Sequence, residues 1–429
     1  MINNIRHVAI LGSGGTMGSL TGGIIAQSGI KVYFLSRTEN NAKFGLERAI
    51  AQARSEVISQ NIICGEYKEL FKDALETADW IVECVSENIE IKQNMYERIE
   101  QYRQPGAIVS TMTSSLPLLK LCQGRSDDFK KNFLGIHFYN PPSKLVACEI
   151  APQYHTNPEL TEFMKNFLEQ KLGRVVIPVY DTAGYAGNRN AFLLFSEITA
   201  LAEQHGVEMI DYLLGPYTGR IMAPLATIDL IGLDIYQAII ESLYKHTNDH
   251  MHDSFKLPKY LKKMIDNGHL GNKTPNKGGF YKRDVNKNKF VINPETLEYA
   301  PIQRPTLKFV EEAKNMIHLG RYRDAFDIIK KAPLKEADIV KRILCTYIVY
   351  SYSCIGKVTG ADYGIDGIDK VMAFGYNWVP PSQIVSMLRG PKVVIKLLKE
   401  YGLSVPPALE NARELLDPHL NSGRYFLSR

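Results

Sequence analysis

The stretch HVAILGSGGTMGSLTGGIIAQSGIKVYFLSRTEN, residues 7–40, decides the fold class. An apolar segment, His7 to Leu11, predicts a buried strand that leads into a cluster of glycines and then a helical segment. A second apolar segment, Lys31 to Leu35, predicts the next strand. Glycines let the backbone turn tightly and approach a diphosphate, which then lies on the N–H groups and positive dipole of the helix start. This order therefore favours a dinucleotide-binding βαβ unit over a merely structural turn.

The end of the second strand bears on the choice of cofactor. An NAD-binding unit typically carries Asp or Glu there, where the carboxylate binds the ribose 2′-OH. This chain has Ser36 followed by Arg37. Loss of the carboxylate removes a repulsion toward a 2′-phosphate, which Arg37 could bind through charge-assisted hydrogen bonds. The sequence therefore leaves both NAD and NADP open. The loop residues expected to contact either cofactor are Gly12, Gly14, Gly15, Thr16, Met17 and Gly18.

Strands and helices alternate beyond this first unit. Strands are predicted at Trp80–Val85 and Ala107–Thr111, with a helix of apolar periodicity between them, and again within KNFLGIHF and residues 173–181. The alternation predicts a mostly parallel, doubly wound α/β sheet. We therefore expect an NAD(P)-binding Rossmann domain over residues 1–185.

The pattern becomes helical from about Ala186, with little strand character, so an all-α domain is expected over residues 186–300. Residues 301–429 are expected to form a linker helix and a second, degenerate copy of that domain. The segment GIDGIDKVMAFGYNWVPPSQIVSML weakly repeats GVEMIDYLLGPYTGRIMAPLATIDLI. The equivalent positions are Ile368-Asp369 with Ile210-Asp211, Gly375 with Gly215, and Pro380 or Pro381 with Pro224.

Composition and charge exclude several classes of protein. A chain of 429 residues is too long for one ordinary core, and 45% hydrophobic with 23% charged residues is typical of a soluble globular protein. The net charge of +5 is dispersed, without a basic run interleaved with aromatics, so nucleic acid is not an expected partner. Six cysteines without a CxxC pair indicate reduced thiols. Because the chain also has no apolar run of about 20 residues and no typical signal peptide, we expect a cytoplasmic protein without membrane contact.

The chain resembles the L-3-hydroxyacyl-CoA dehydrogenase family. The blocks that carry the resemblance, in family order over roughly residues 6–282, are GSGGTMGS, DWIVECVSENIEIK, TSSL, GIHFYNPPSKLVACEI, DTAGYAGNR, IDLIGLDIYQAI and LGNKTPNKGGFY. The stretch GPYTGR and the second helical copy resemble the multifunctional members, without their hydratase domain. The resemblance implies an NAD(P)-dependent enzyme of fatty-acid or short-chain acyl-CoA metabolism, such as β-oxidation. Its acyl-CoA substrate would be interconverted between the (S)-3-hydroxy and 3-oxo forms.

A candidate catalytic site follows from these blocks. Oxidising a secondary alcohol needs a base for the hydroxyl proton, and histidine titrates near neutrality. A buried carboxylate can fix the tautomer of that histidine and stabilise its cation. His137 and Glu149 stand at the family's spacing for such a pair, 149 − 137 = 12. The resemblance also implies that Ser114 and Asn188 contact the substrate oxygen. The alternative is a histidine bonded within a loop and a glutamate on a solvated strand face.

The resemblance places Glu87 and Lys92, in SENIEIK, around the nicotinamide and its ribose. The alternative for each is a solvated first turn of a helix, where Glu87 is favoured by the dipole alone. Two departures from the family pattern are Met112, where an Asn is common, and an extra glycine, Gly15, in the loop.

Three further hypotheses remain open. A related hydroxyacid dehydrogenase would act on a substrate without CoA, and a non-catalytic relative would only bind the cofactor. The histidines in KHTNDHMHD invite a metal site, but no Cys or carboxylate stands at a recognised ligand spacing, so we expect no metal. The second helical copy is expected to pack as a partner subunit would, making a monomeric pseudo-dimer, although a homodimer stays open. Trp378 and Tyr376 are expected at or near that internal interface.

Overall fold

The structure is a computed structural model that describes residues 4–303, 305–412 and Tyr425 of the chain. The chain forms two compact units. Unit 1 contains the residues up to Tyr185 together with Val358–Gly360 and Phe374–Tyr376, and unit 2 contains the remainder. The change of unit after Tyr185 coincides with the expected domain boundary. No change of unit occurs near residue 300, so the helices on both sides of it lie in unit 2. Residues 413–424 and 426–429 of the expected third domain lie outside the described residues.

Unit 1 contains a single large sheet. Among the described residues eight strands follow the order β3-β2-β1-β4-β5-β6-β7-β8, and β6–β7 is the antiparallel pair. This confirms the mostly parallel, doubly wound sheet. The strands are β1 (His7–Leu11), β2 (Lys31–Ser36), β3 (Ile62–Glu66), β4 (Trp80–Glu83), β5 (Ile108–Thr111), β6 (Phe133–Phe138), β7 (Ala147–Pro152) and β8 (Val175–Pro178).

Helices flank this sheet, and as a result β4, β5 and β6 are buried at every position, as expected for apolar strands of a parallel sheet. Side-chain caps start four of these helices, among them α2, where Thr38 accepts the Asn41 N–H, and α4, where Asn88 accepts the Ile91 N–H. The helices are α1 (Thr16–Gln27), α2 (Glu39–Ala53), α3 (Tyr67–Thr77), α4 (Ile89–Tyr102), α5 (Leu118–Leu121), α6 (Asp127–Lys131) and α7 (Pro158–Gln170), with a 3₁₀ turn at Glu56–Asn61.

Unit 2 is mainly helical. Its helices are α8 (Gly187–His205), α9 (Val207–Leu213), α10 (Pro224–Ile231), α11 (Leu233–His246), α12 (Lys259–Asp266), α13 (Lys308–His318), α14 (Tyr322–Lys331), α15 (Lys335–Ser353), α16 (Asp366–Gly375, whose end belongs to unit 1), α17 (Pro381–Met387), α18 (Pro391–Glu400) and α19 (Pro407–Glu410). Short 3₁₀ turns lie at Pro216–Thr218, His252–Ser254 and Ala361–Tyr363.

The expectation of an all-α domain over residues 186–300 was wrong at its end. Three short strands, β9 (Tyr281–Arg283), β10 (Lys289–Ile292) and β11 (Tyr299–Pro301), form an antiparallel sheet in the order β11-β10-β9. Tight turns replace a helix here. Asp284 accepts the Asn288 N–H in the first turn, and Asn293 accepts the Glu295 N–H in the second.

Two segments of unit 2 share an order of elements that fits the expected internal repeat, which stays a prediction. Both copies have a 19-residue helix (α8 and α15), then a helix that carries a buried aspartate (α9 and α16), then a helix that begins with proline (α10 and α17). Asp211 accepts the Leu225 N–H at 2.7 Å, and Asp369 accepts the Ser382 N–H at 3.1 Å. Each aspartate thus caps the proline-started helix of its own copy.

Candidate active site

The carboxyl ends of four neighbouring strands bring the candidate residues of unit 1 to one edge of the sheet. Leu11 of β1 is in register with Glu83 of β4, which is in register with Thr111 of β5, itself in register with Gly135 of β6. The glycine loop follows β1, Glu87 follows β4, Ser114 follows β5, and His137 is near the end of β6. Strand order reverses between β1 and β4, which is where ligands bind in open α/β sheets.

The glycine loop has the geometry that a diphosphate needs. Gly12 has φ +92°, and a Cβ there would lie 2.6 Å from the Cys84 carbonyl oxygen. A Cβ on Gly18 would lie 2.6 Å from the Gly12 carbonyl oxygen, so helix and loop approach closely. Gly15 is the N-cap of α1, and the first turn carries no acidic residue. The N–H groups of Thr16, Met17 and Gly18 have no acceptor within the helix, so the loop fits a bound anion.

Ser36 shapes this loop from the end of β2. Its side chain is 4% exposed, its Oγ accepts the Gly14 N–H at 2.8 Å, and it lies 3.1 Å from Ser13 Oγ. The hydroxyl is therefore engaged within the protein, and its expected contact with the cofactor stays a prediction. Arg37 is exposed beside it, and its expected contact with a 2′-phosphate stays a prediction.

Glu87 organises the loop that contains Ser114. Its Oε1 accepts the Thr113 hydroxyl, the Ser115 hydroxyl at 3.0 Å and the Ser114 N–H at 3.3 Å. The Ser114 carbonyl accepts the Gly184 N–H at 2.8 Å. Glu87 was expected to contact the cofactor and Ser114 the substrate. The structure joins Glu87 to the loop of Ser114 through these hydrogen bonds.

Lys92 lies beneath this loop rather than on its surface. Its side chain is 1% exposed and its Nζ lies 2.8 Å from Oε1 of Glu83, which is 0% exposed. Burial acts against the ammonium, but Glu83 and Glu87 outweigh it and raise the pKa of Lys92. The contact of Lys92 with the cofactor stays a prediction, while its structural role is to neutralise Glu83. The other donors to the Glu83 carboxylate are the hydroxyls of Tyr96 and Thr111 and the N–H of Val85.

Glu83 is a residue that the sequence analysis missed. The signal for it is a glutamate inside the apolar strand WIVEC with a lysine nine residues later. Because the Val85 N–H donates to the Glu83 carboxylate at 2.7 Å, β4 ends at Glu83 and not at Val85 as predicted.

The structure brings His137 and Glu149 together on the β6–β7 hairpin. The two residues are in direct register across the antiparallel pair, and Nδ1 of His137 lies 2.8 Å from Oε2 of Glu149. The Glu149 side chain is 0% exposed and His137 is 9% exposed. This arrangement, called the His–Glu pair below, leaves the other imidazole nitrogen for proton exchange. The Tyr139 hydroxyl, which the sequence analysis missed, donates to the same Oε2 at 2.6 Å.

Asn188 is the second residue of α8 in unit 2 and is 8% exposed. Its expected contact with the substrate oxygen stays a prediction that rests on the resemblance.

The histidines considered for a metal have other neighbours. The His252 ring stacks on Tyr244 at 4.4 Å between centroids, and the His250 ring lies 6.3 Å from that of Tyr350. Within residues 4–303, 305–412 and Tyr425, no group of three or more His, Cys, Asp or Glu side chains could hold a metal ion. Over the same residues no helix has the length and apolarity to cross a bilayer.

Two family models match adjacent parts of the chain. Residues 7–182 match the model described as 3-hydroxyacyl-CoA dehydrogenase, NAD binding domain, and residues 184–283 match that described as 3-hydroxyacyl-CoA dehydrogenase, C-terminal domain. The curated relatives include a Probable 3-hydroxyacyl-CoA dehydrogenase of Bacillus subtilis, 30% identical over 97% of this chain. This chain spans 55% of that relative's length. A protein of the same name from Deinococcus radiodurans is 32% identical over 65% of this chain and 83% of its own length.

Solved structures share the fold over nearly the whole chain. The 3-hydroxybutyryl-CoA dehydrogenase of Escherichia coli K12 covers 95% of this chain and is itself covered to 98%, with a TM-score of 0.68 and 19% identity. The dehydrogenase part of multifunctional enzyme 1 of C. elegans covers 96% of this chain and is covered to 90%, with a TM-score of 0.57 and 21% identity. At these identities the likeness shows the fold alone.

Proposed function

The chain belongs to the 3-hydroxyacyl-CoA dehydrogenase family, and we propose that it interconverts (S)-3-hydroxyacyl-CoA and 3-oxoacyl-CoA with NAD. The observation that carries the proposal is the His–Glu pair, at 2.8 Å and at the carboxyl edge of an NAD-binding sheet. A buried carboxylate on one imidazole nitrogen suits the histidine to a reversible proton transfer at the other.

The residues have distinct tasks in the proposed reaction. Bound NAD would supply the acceptor for the hydride of the carbinol carbon. His137 takes the hydroxyl proton on its free nitrogen, and Glu149 stabilises the resulting imidazolium and holds the ring in one tautomer. Ser114, held by Glu87 in its loop, donates a hydrogen bond to the 3-oxygen. In the reverse direction His137 returns the proton to the 3-oxygen.

The residues of the glycine loop fit the diphosphate of either nicotinamide cofactor. We propose that the N–H groups at the start of α1 bind it, with Gly12, Gly14 and Gly15 letting the backbone approach. The family supports NAD. NADP remains a proposal that depends on the exposed guanidinium of Arg37.

One experiment tests the function. Initial rates of acetoacetyl-CoA reduction should be measured with NADH and with NADPH, and compared with those for free acetoacetate under the same conditions. We expect reduction of the CoA thioester to exceed that of the free acid strongly. Preference for the free acid would favour a hydroxyacid dehydrogenase without CoA, and an absence of turnover with both substrates would favour a non-catalytic relative.

We also propose that the protein is a monomeric pseudo-dimer, in which the second helical copy takes the place of a partner subunit. Contacts within unit 2 support this. Ser351 of α15 donates to Asn190 of α8 at 2.9 Å, and the Trp378 ring packs edge-on against Phe195 of α8, 5.4 Å between centroids. A tethered copy has an effective concentration of roughly the millimolar range, so it should exclude a second chain from this face.

A further inference from the structure

Tyr139 and His137 both contact the same carboxylate oxygen, Oε2 of Glu149. Its hydroxyl donates to Oε2 of Glu149 at 2.6 Å, and Nδ1 of His137 lies 2.8 Å from the same atom. A fully buried carboxylate needs donors in place of water. The Tyr139 hydroxyl therefore holds the carboxylate at the position where His137 meets it, while leaving Oε1 out of both bonds.

The Tyr139 ring is held in turn by a segment that is distant in the sequence. The Tyr376 ring lies edge-on to it, with 5.6 Å between centroids and planes 69° apart. The backbone of Gly375 approaches the ring so closely that an added Cβ would lie 3.1 Å from both Cε1 and Cζ of Tyr139. A residue larger than glycine would therefore displace the ring that carries the donating hydroxyl.

This segment belongs by sequence to the second helical copy but by packing to unit 1. Residues Ala361–Ala373 and those from Asn377 onward lie in unit 2, whereas Phe374–Tyr376 lie in unit 1 with the His–Glu pair. Tyr376 was expected at or near the internal interface; its ring packs on Tyr139 of unit 1, and its place relative to that interface stays a prediction.

We propose that Tyr139 is a positioning residue for the His–Glu pair, and that Gly375 and Tyr376 of the second helical copy hold Tyr139 in place. The catalytic part of this inference rests on the proposed function, in which His137 transfers the proton. Two residues of this segment, Gly375 and Tyr376, would thereby help to position the groups that transfer the proton.

The tyrosines and the cysteine around the His–Glu pair should not titrate in the pH range of the test. The phenols of Tyr139, Tyr185 and Tyr376 have pKa values raised by burial first and by the charge of nearby carboxylates second, and burial also raises the pKa of the Cys148 thiol. These four groups therefore stay neutral over the working pH range. Loss of the Tyr139 donor would leave the Glu149 carboxylate more basic, so the His137 imidazolium should be bound more strongly.

The test compares Tyr139→Phe, Gly375→Ala and a control, Tyr363→Ala, an exposed tyrosine of the same helical copy. For the first two variants we expect kcat to fall by about tenfold, the scale of one hydrogen bond to a charged group, with little change in KM for acetoacetyl-CoA. In the direction of reduction His137 must carry its proton, so the alkaline limb of the kcat profile should move to higher pH. The control should match the wild type. Wild-type kcat and an unmoved alkaline limb in both variants would overturn the inference.

A second readout does not depend on turnover. The His137 imidazole can be titrated by NMR in protein labelled with ¹³C-histidine, with its signal assigned by comparison with His137→Gln. We expect a higher pKa for His137 in Tyr139→Phe and Gly375→Ala than in the wild type. Equal pKa values in folded variants would overturn the inference even if the wild type proved to have no dehydrogenase activity, so its failure and that of the proposed function are distinguishable.

Discussion

Arg220 and Trp378 pair with each other through an antiparallel bridge, and the Arg220 guanidinium lies 4.8 Å from the centre of the Trp378 ring. Each residue stands nine positions after the capping aspartate of its own copy, 220 − 211 = 9 and 378 − 369 = 9. An antiparallel contact between equivalent positions is the contact that a local twofold axis produces. This contact supports the proposal that the two helical copies of unit 2 meet as two subunits of a dimer would, with Trp378 at the interface between them.

This relationship predicts a monomer. Light scattering on the full chain should give the mass of one chain, 48.4 kDa, because the second copy already covers the face that a partner would use. A chain ended at residue 300 should expose that face and dimerise or aggregate. A well-behaved monomer of the shortened chain would show that the C-terminal copy covers nothing, and a dimer of the full chain would point to a different association surface.

The ion pair of Lys92 and Glu83 should be required for stability. Lys92→Met would leave the Glu83 carboxylate buried without its cation, and loss of one partner of such a pair costs about 3–5 kcal/mol in the free energy of unfolding. Urea unfolding monitored by circular dichroism measures this. Lys43→Met is the control, because the Lys43–Glu39 pair is about half exposed on both sides and should contribute little. Equal effects of the two substitutions would show that burial of the Lys92 pair is not decisive.

The His–Glu pair should govern the chemical step. His137→Gln should lower kcat by about 10²–10⁴-fold, the scale of general acid–base catalysis, with little change in NADH affinity. Glu149→Gln should have a similar but smaller effect, because the imidazole keeps its proton-accepting nitrogen but loses its orientation. Acetoacetyl-CoA reduction measures kcat, and NADH fluorescence measures binding. His155→Gln, at an exposed position outside the pair, is the control. Near-normal turnover of His137→Gln would contradict the assignment.

Arg37 should act on NADPH and not on NADH. Since the Ser36 hydroxyl is engaged with the glycine loop, the Arg37 guanidinium is the group at that strand end that can bind a 2′-phosphate. Arg37→Ala should raise KM for NADPH by about tenfold, roughly 1.4 kcal/mol, and leave KM for NADH nearly unchanged. Equal changes for both cofactors would place Arg37 away from the 2′ position, and a wild type that uses NADH alone would leave NAD as the physiological cofactor.

Stability should fall as the pH rises toward 7. Burial raises the pKa of Asp211 to about 6 and that of Asp369 to about 7, from an ordinary value near 3.8. A carboxyl with a raised pKa binds its proton more tightly when folded, so its contribution is present below the unfolded pKa and is lost as pH rises through the folded pKa. Between those two values the loss is about 1.4 kcal/mol per pH unit for each group.

Asp369→Asn checks this dependence. Thermal unfolding between pH 5 and 8 should show a shallower decline of the midpoint in Asp369→Asn than in the wild type, because Asp369 no longer ionises while Asp211 and Asp229, whose pKa burial also raises to about 7, still do. Asp362→Asn, at an exposed position in the same copy, should retain the wild-type slope. Identical slopes in all three proteins would mean that Asp369 is ionised throughout this range.

Much of unit 1 and of the site could be predicted because the signals are local. The glycines between Leu11 and Gly18 require a tight turn by their own backbone geometry, and continuous apolar segments specify the strands without reference to the rest of the chain. The spacing of His137 and Glu149 likewise predicts a pair, since a hairpin brings residues of nearby sequence into register. Local patterns did not reveal the β9–β11 sheet, where strands of three or four residues are too short to show a period.

Other roles were decided by tertiary structure alone, because their partners are far apart in sequence. The buried pairing of Lys92 with Glu83 appears only in the folded chain, where the cost of burying the Glu83 carboxylate makes a cation beside it necessary. Ser36 meets Gly14 only after β1 and β2 pair. Tyr376 stands 376 − 139 = 237 residues after the tyrosine on which it packs. The sequence by itself determined which elements form and in what order, whereas packing decided which side chains meet, since only the folded chain sets the distances on which hydrogen bonds and ion pairs depend.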